Sequence, residues 1–273
     1  MRLKALVRGH RARSPATHPL PPPCKGREVT LRIAMWSGPR NLSTAMMRSF
    51  GSRADTFVSD EPFYGAFLKT TGADHPMRDE VIAAMDCDWR SVMQTLRGDA
   101  LDNSPVWYQK HMWHHMAGPI GYDDFNGFTH AFLIREPERM IASYLRKREI
   151  ARFEDFGLER QTEFFEREAD RLGRAPPVID AHDVLMDPQS VLTKLCRALG
   201  IDWNMAMLSW LPGRRATDGP WASHWYGAVE ASTGFGPPEM DDTELPDDVR
   251  HLADRCRPFY ERLAVHRIRP ERI

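Results

Sequence analysis

The amino-acid sequence predicts a three-layer α/β protein, a parallel β-sheet flanked by helices on both faces. Three observations predict it. Short β-branched, apolar runs alternate with segments of helical period between residues 29 and 200, and such alternation builds parallel strands joined by helical crossovers. The polar clusters fall at the C-terminal ends of those runs, where open parallel sheets bind their ligands. The 273 residues are 42% hydrophobic, with eight Trp and thirteen Phe, enough for the core of one large domain.

The elements follow in order. Val29–Trp36 is a buried first strand, broken by Ser37-Gly38-Pro39-Arg40-Asn41. Leu42, Ala45, Met46, Ser49 and Phe50 then share one helical face, with Gly51 as the stop. A second strand lies near Thr56–Val58 and ends at Ser59-Asp60-Glu61-Pro62. Residues 76–98 read as mostly helical, Val106–Gln109 as a short strand ending in Lys110-His111, and His130–Ile134 as a buried strand ending in Arg135-Glu136-Pro137. The helix over 138–149 turns Met140, Ile141, Tyr144 and Leu145 inward, and a charged, solvated helix covers 158–172. Val178–Ile179 starts another strand. Asp187-Pro188 supplies an N-cap with proline at the first helical position, and Gly200 closes that helix.

Charge is unevenly spread. Of 37 basic and 38 acidic residues, seven and one lie within residues 1–28, which leaves 30 and 37 in the remainder, a net of −7. Residues 1–28, with Pro15, Pro19 and Pro21–Pro23, read as a disordered basic leader ahead of a single domain over 29–273. The balance of the whole chain, −1, argues against a nucleic-acid or anionic-membrane partner. No run reaches the roughly 18 apolar residues of a membrane span. Cys24, Cys87, Cys196 and Cys256 have no metal-ligand spacing, which predicts reduced thiols in the cytoplasm.

A strand that turns through Gly38-Pro39-Arg40-Asn41-Leu42-Ser43-Thr44 into a helix aims backbone N–H groups and a helix dipole at one point, a natural anion site. Arg40 adds charge, and Ser43 and Thr44 add hydroxyl donors. The lysine of the nucleotide triphosphatase loop is absent, which disfavours ordinary ATP chemistry and a Mg²⁺ site. Alone, this loop also reads as a plain strand-to-helix turn. A second cluster changes the balance: Arg135 ends a buried strand and Ser143 follows eight residues later in the next helix, so both can grip one further phosphate.

These two motifs together resemble the sulfotransferase family, in a divergent bacterial-type branch, and the likeness spans about residues 29–265. The resemblance implies a P-loop-like fold and transfer of a sulfuryl group from 3′-phosphoadenosine-5′-phosphosulfate, without a metal. It implies that Arg40, Asn41, Leu42, Ser43 and Thr44 hold the 5′-phosphosulfate and that Arg135 and Ser143 hold the 3′-phosphate. Arg214 and Arg215, ahead of a Trp-rich loop, are further candidates for the nucleotide; Asp183-Val184-Leu185 with Asp187-Pro188 matches a strand-to-helix segment. Asn41-Leu42 departs from the family's Ser-Gly, and a leucine without glycine's conformational freedom predicts a differently wound loop.

Two groups are candidates for the base that takes the acceptor's proton. Glu61, in Ser-Asp-Glu-Pro-Phe, resembles the Glu-Pro of carbohydrate-type sulfotransferases. His111 lies beside Lys110, one residue short of the Lys-x-His of the small-phenol enzymes. Glu61 is favoured because its motif is intact, and Lys110 is then the candidate to neutralise the leaving phosphate oxygen. His111, His114 and His115 have the spacing of a helical metal face, but without a fourth ligand nearby they read better as satisfied or solvated histidines. Trp210, Trp221, Trp225 and Tyr226 read first as core and second as an aromatic wall beside adenine or acceptor. The acceptor is a small molecule, carbohydrate or other hydroxyl or amine compound, enclosed by the loops 65–105, 112–128 and 150–175. A nucleotide-dependent kinase and a non-catalytic nucleotide-binding domain are the competing readings. No lysine stands in a Schiff-base context, which removes an aminotransferase reading.

Overall fold

A computed structural model describes residues 30–238 and 245–271; the basic stretch 1–28 lies outside them. Five strands form one all-parallel sheet: β1 (Leu31–Ser37), β2 (Thr56–Asp60), β3 (Val106–Met112), β4 (Thr129–Ile134) and β5 (Val178–Asp180), in the order β2-β3-β1-β4-β5. The predicted α/β architecture stands. β1 is central: Trp36 pairs in register with His111 of β3 and with Phe132 of β4. A parallel sheet covered on both sides needs strands buried throughout, and every residue of β3 is buried.

Eleven α-helices are described: α1 (Ser43–Gly51), α2 (Tyr64–Thr71), α3 (Arg78–Ala84), α4 (Trp89–Leu96), α5 (Pro137–Leu145), α6 (Leu158–Leu172), α7 (Ala181–Met186), α8 (Pro188–Leu199), α9 (Ala222–Trp225), α10 (Gly227–Glu230) and α11 (Asp247–Ala264). α1 packs on β2 and β3, while α11 packs on β4, β5, α5 and α6. Strand parity assigns side chains to the two layers. Tyr108 stacks on Phe50 of α1 at 4.3 Å, so Lys110, two residues on, faces the α1 layer. His111 points the other way, beneath Trp36 and toward the Phe164 side of α6.

Several boundaries differ from the sequence reading: β2 runs on to Asp60, and the helix expected over 138–149 ends at Leu145. β3 runs on through Lys110 and His111 to Met112, because buried partners satisfy residues that look like a strand terminus. Residues 65–71, at the start of the loop expected over 65–105, belong to α2. Asp183-Val184-Leu185 lies wholly within α7. Elsewhere local chemistry acts as predicted: Asp187 accepts from the Ser190 N–H with Pro188 at the first position, and Gly200 closes α8 at φ 76°.

The segment between α8 and α11 is tied back to the sheet layer by buried contacts, an ion pair among them. Arg48 of α1 donates two hydrogen bonds to Asp218, at 2.5 and 2.7 Å, and the side chains are only 3% and 0% exposed. A planar guanidinium fork matched to a carboxylate is the geometry that a buried ion pair requires.

Candidate active site

The loop from β1 to α1 sets the geometry. Gly38 is required by space: a Cβ there would stand 2.7 Å from the Phe156 carbonyl oxygen. Arg40 and Leu42 both take left-handed backbone conformations, with φ of 61° and 70°. Leu42 therefore adopts the conformation open to glycine despite its side chain, at a strain cost of roughly 1–2 kcal/mol. Asn41 between them is fully buried, with neither amide atom hydrogen-bonded. Leu42 gives α1 no side-chain cap, and the first turn carries no acid. The orphan N–H groups and positive dipole end of α1 thus stay open to an anion.

The second motif meets this loop across the sheet. Arg40 Nε donates to Ser143 Oγ at 3.1 Å, and Arg135 Nη1 donates to the Arg40 carbonyl at 2.6 Å. Arg40, Leu42, Ser43, Thr44, Arg135 and Ser143 all line one cleft of about 1140 Å³. Arg146, which the sequence reading missed, lines it too. Its opposite wall is Trp225, Tyr226 and side chains from the 228–236 stretch, Val229, Ser232 and Phe235 among them. Asn41 lies beneath the loop and is not part of the wall.

A second chamber of about 600 Å³ adjoins the first and shares Arg40, Ser43, Thr44, Trp225 and Tyr226 with it. Glu61 and Lys110 lie at this chamber, with Tyr64, His75, His114, His115, Arg148 and Trp221 around them. Glu61 sits just past β2 in a left-handed turn, φ 46°, and its N–H bonds the Lys110 carbonyl at 3.0 Å. Lys110 Nζ donates to Asp60 at 2.8 Å, to Glu61 at 2.7 Å and to the Tyr226 hydroxyl at 2.6 Å. An ammonium has three N–H donors, so all three are engaged within the protein. Lys110 therefore grips the two carboxylates rather than reaching into the donor cleft, as the sequence reading had it doing.

Burial, the largest influence, pushes the Glu61 carboxyl above its usual range; Lys110 pulls it back and Asp60 pushes it further up. Burial also works against the Lys110 charge, but Asp60, Glu61 and Tyr226 outweigh it and hold the ammonium protonated. The histidines behave differently. Burial lowers His111 and His114 to about 3 and His115 in the same direction, with neighbouring charges adding to it.

The structure separates the remaining candidates. His111 stacks on Trp36 at 4.6 Å and pairs with Gln109 at 3.2 Å, on the face of the sheet opposite Lys110. The three histidines share no helix: His111 is on β3, and His114 and His115 are on the 3-10 turn that follows. Arg214 reaches Gly219 and Arg215 reaches the Leu211 and Pro212 carbonyls; neither lines the two chambers. Of the aromatic residues, Trp225 and Tyr226 form the shared wall, Trp221 lines the second chamber, and Trp210 lines neither but bonds Ser232 of the first cleft's wall from behind.

Two curated proteins of Arabidopsis thaliana, branched-chain-amino-acid aminotransferase-like proteins 1 and 2, are 35% and 33% identical over 235 and 234 residues. The matches cover 86% of this chain but 42% and 41% of those proteins, so the chain spans less than half the length of the curated relatives it matches. A solved sulfotransferase of Alicyclobacillus acidocaldarius superposes with a TM-score of 0.51 at 14% identity, covering 88% of this chain and 97% of that one, a likeness of fold. The sulfotransferase domain of the Synechococcus PCC 7002 olefin synthase gives 0.48 at 16%, covering 85% and 96%. A family model described as the sulfotransferase domain matches residues 31–267, nearly the whole described chain, and on that match the chain belongs to the sulfotransferase-domain family.

Proposed function

We propose that this protein transfers a sulfuryl group from 3′-phosphoadenosine-5′-phosphosulfate to a hydroxyl or amine of a small acceptor. The observation that carries the reading is the junction of the two anion motifs, Arg40 with Ser143 and Arg135 with the Arg40 carbonyl, at the uncapped start of α1. The uncapped N–H groups, Arg40, Ser43 and Thr44 would hold the 5′-phosphosulfate. Arg135 and Ser143 would hold the 3′-phosphate, with Trp225 available to the adenine. The acceptor would enter the second chamber, whose volume suits a small molecule.

The donor supplies an activated sulfuryl group whose sulfur–oxygen bond to phosphate breaks as the acceptor oxygen or nitrogen bonds to sulfur; the electron pair stays on the phosphate. Glu61 takes the acceptor's proton on a carboxylate oxygen. Lys110 keeps Glu61 in place, and the charge that builds on the leaving phosphate meets Arg40 and the α1 N–H groups, donors fixed before reaction. Arg40 and the uncapped N–H groups of α1 would supply the positive charge at the donor. We place the reaction in the cytoplasm, a reading supported by Cys87, Cys196 and Cys256, which are unpaired thiols.

Two outcomes test the reading. Arg135→Ala is expected to weaken binding of 3′-phosphoadenosine-5′-phosphate by about 1.5–3 kcal/mol, as for a lost charged hydrogen bond, measured by calorimetry. Binding of the analogue without the 3′-phosphate should not change; equal losses for both ligands would refute the assignment. The pH dependence of turnover should show one acidic limb, above the ordinary carboxylate range and owed to Glu61. No separate limb should appear near 6.5, because His111 and His114 stay neutral down to about 3. Loss of the limb in His111→Gln but not in Glu61→Gln would make His111 the base.

A further inference from the structure

Two carboxylates share one buried ammonium beside the second chamber: Glu61 and Lys110 line it, and Asp60 lies behind them, so a proton entering this group has two carboxylates open to it. Hydrogen bonding decides between them, because each bond to the ionised form makes protonation harder. Asp60 accepts from Lys110 Nζ at 2.8 Å, and its two oxygens lie 2.9 and 2.7 Å from the Tyr226 hydroxyl. Among the described residues Glu61 accepts from Lys110 alone, at 2.7 Å; its other oxygen faces His115 Nδ1 at 3.7 Å, beyond hydrogen-bond range. In hydrogen bonding the two carboxylates thus differ by one hydroxyl, and in position by the chamber, which Glu61 alone of the two lines.

That hydroxyl is held from several sides. Tyr226 accepts from Lys110 at 2.6 Å and from Trp221 Nε1 at 3.0 Å, so its own proton is directed at Asp60. Lys110 also lies 5.0 Å from the centre of its ring. All four partners are buried: Asp60 at 7%, Lys110 at 1%, Trp221 at 2% and Tyr226 at 5% exposure. Tyr226 belongs to the segment that roofs the donor cleft, between Trp225 and the 228–236 wall. One side chain therefore joins the roof of the first chamber to the base of the second.

We propose that Tyr226 is a positioning residue of the reaction: by donating to Asp60 it fixes one negative charge there, so that Glu61 receives the acceptor's proton, and it does so from the segment that covers the donor. This rests on the reading of Glu61 as the base. The groups that face Glu61 are Asp60 from β2, Tyr64 from α2, Lys110 from β3, His115 from the turn after β3, and Tyr226 from the roof. Of these, Lys110 favours its charged form and Asp60 its neutral one, while burial favours the neutral form most.

The test uses Tyr226→Phe, which keeps the buried ring and removes only the hydroxyl, beside Asp60→Asn and the wild type. Carboxyl carbon-13 NMR, with Glu61 assigned through Glu61→Gln, follows where the first proton binds. In the wild type it goes to Glu61. In Tyr226→Phe Glu61 no longer holds the whole of it, and in Asp60→Asn the Glu61 midpoint moves down because the neighbouring negative charge is gone. Sulfate release from 3′-phosphoadenosine-5′-phosphosulfate, with water as the acceptor, should fall about tenfold or more in Tyr226→Phe, a part of the 10²–10⁴ that a general base contributes. Affinity for 3′-phosphoadenosine-5′-phosphate should stay within about twofold, since the hydroxyl faces the carboxylates. A first proton that stays on Glu61 in Tyr226→Phe, or a loss confined to melting temperature, overturns the proposal and leaves the hydroxyl a purely structural role. Failure of the wild type to bind 3′-phosphoadenosine-5′-phosphate would instead overturn the donor assignment, which the NMR result does not depend on.

Discussion

Glu61→Gln is expected to lower turnover by about 10²–10⁴, the contribution of a positioned general base, while leaving donor-product affinity nearly unchanged. The glutamine keeps the shape and can still accept from Lys110, so the loss isolates the proton-accepting oxygen. A single-turnover measurement of sulfuryl transfer beside calorimetry separates the two effects. An unchanged turnover with weakened binding would reverse the roles given to Glu61 and the Arg135 pair. The same substitution should show in stability. The folded value of Glu61 lies above its ordinary 4.5, so between those values the folded protein holds a proton that the unfolded chain has released. Stability from this group is therefore present at low pH and declines as pH rises through that window. The melting temperature of Glu61→Gln relative to wild type should accordingly rise as pH is raised from below 4.5 toward neutrality, and a flat difference would contradict the raised value.

Asp218→Ala is expected to destabilise the fold by about 3–5 kcal/mol, because it strands the buried Arg48 guanidinium without its carboxylate. Arg48 is 4% exposed and its Nε has no hydrogen-bond partner, so little remains to compensate. For a chain of this size that corresponds to a fall in melting temperature on the order of 10 °C. The double replacement Arg48→Met with Asp218→Leu should recover much of the loss, since apolar groups of similar volume can replace a buried pair. A loss below about 1 kcal/mol in Asp218→Ala would mean that water reaches the pair. The segment anchored at Asp218 continues into the roof over both chambers, so this anchor also bears on how the donor cleft closes.

Much of the site was legible because its signals are local. A glycine followed by arginine and two hydroxyl residues at the start of a helix, and an arginine eight residues before a serine at another, each mark an anion site without knowledge of the fold. The sheet then brings Arg40, Arg135 and Ser143 together, as parallel strands with ligands at their C-terminal ends must. What the sequence hid is set by distant partners. Lys110 and His111 look like a polar strand end until Asp60, 50 positions earlier, and Tyr226, 116 positions later, supply a buried charge with its bonds. Once β3 includes both residues, its alternation sends His111 into the aromatic core under Trp36, which no local pattern indicates. Leu42 shows a different limit: propensity forbids a left-handed leucine only by roughly 1–2 kcal/mol, a cost that packing of the loop can offset, so its φ of 70° could not be read from residue type.

The most direct test of the central claim is a calorimetric titration of the whole chain with 3′-phosphoadenosine-5′-phosphate, beside ADP and ATP, with Mg²⁺ and with a chelator. Binding on the order of micromolar, about −8 kcal/mol, that ignores Mg²⁺ and requires the 3′-phosphate is the predicted result. No binding, or tighter Mg²⁺-dependent binding of ATP, would contradict it and make the cleft a nucleoside triphosphate site.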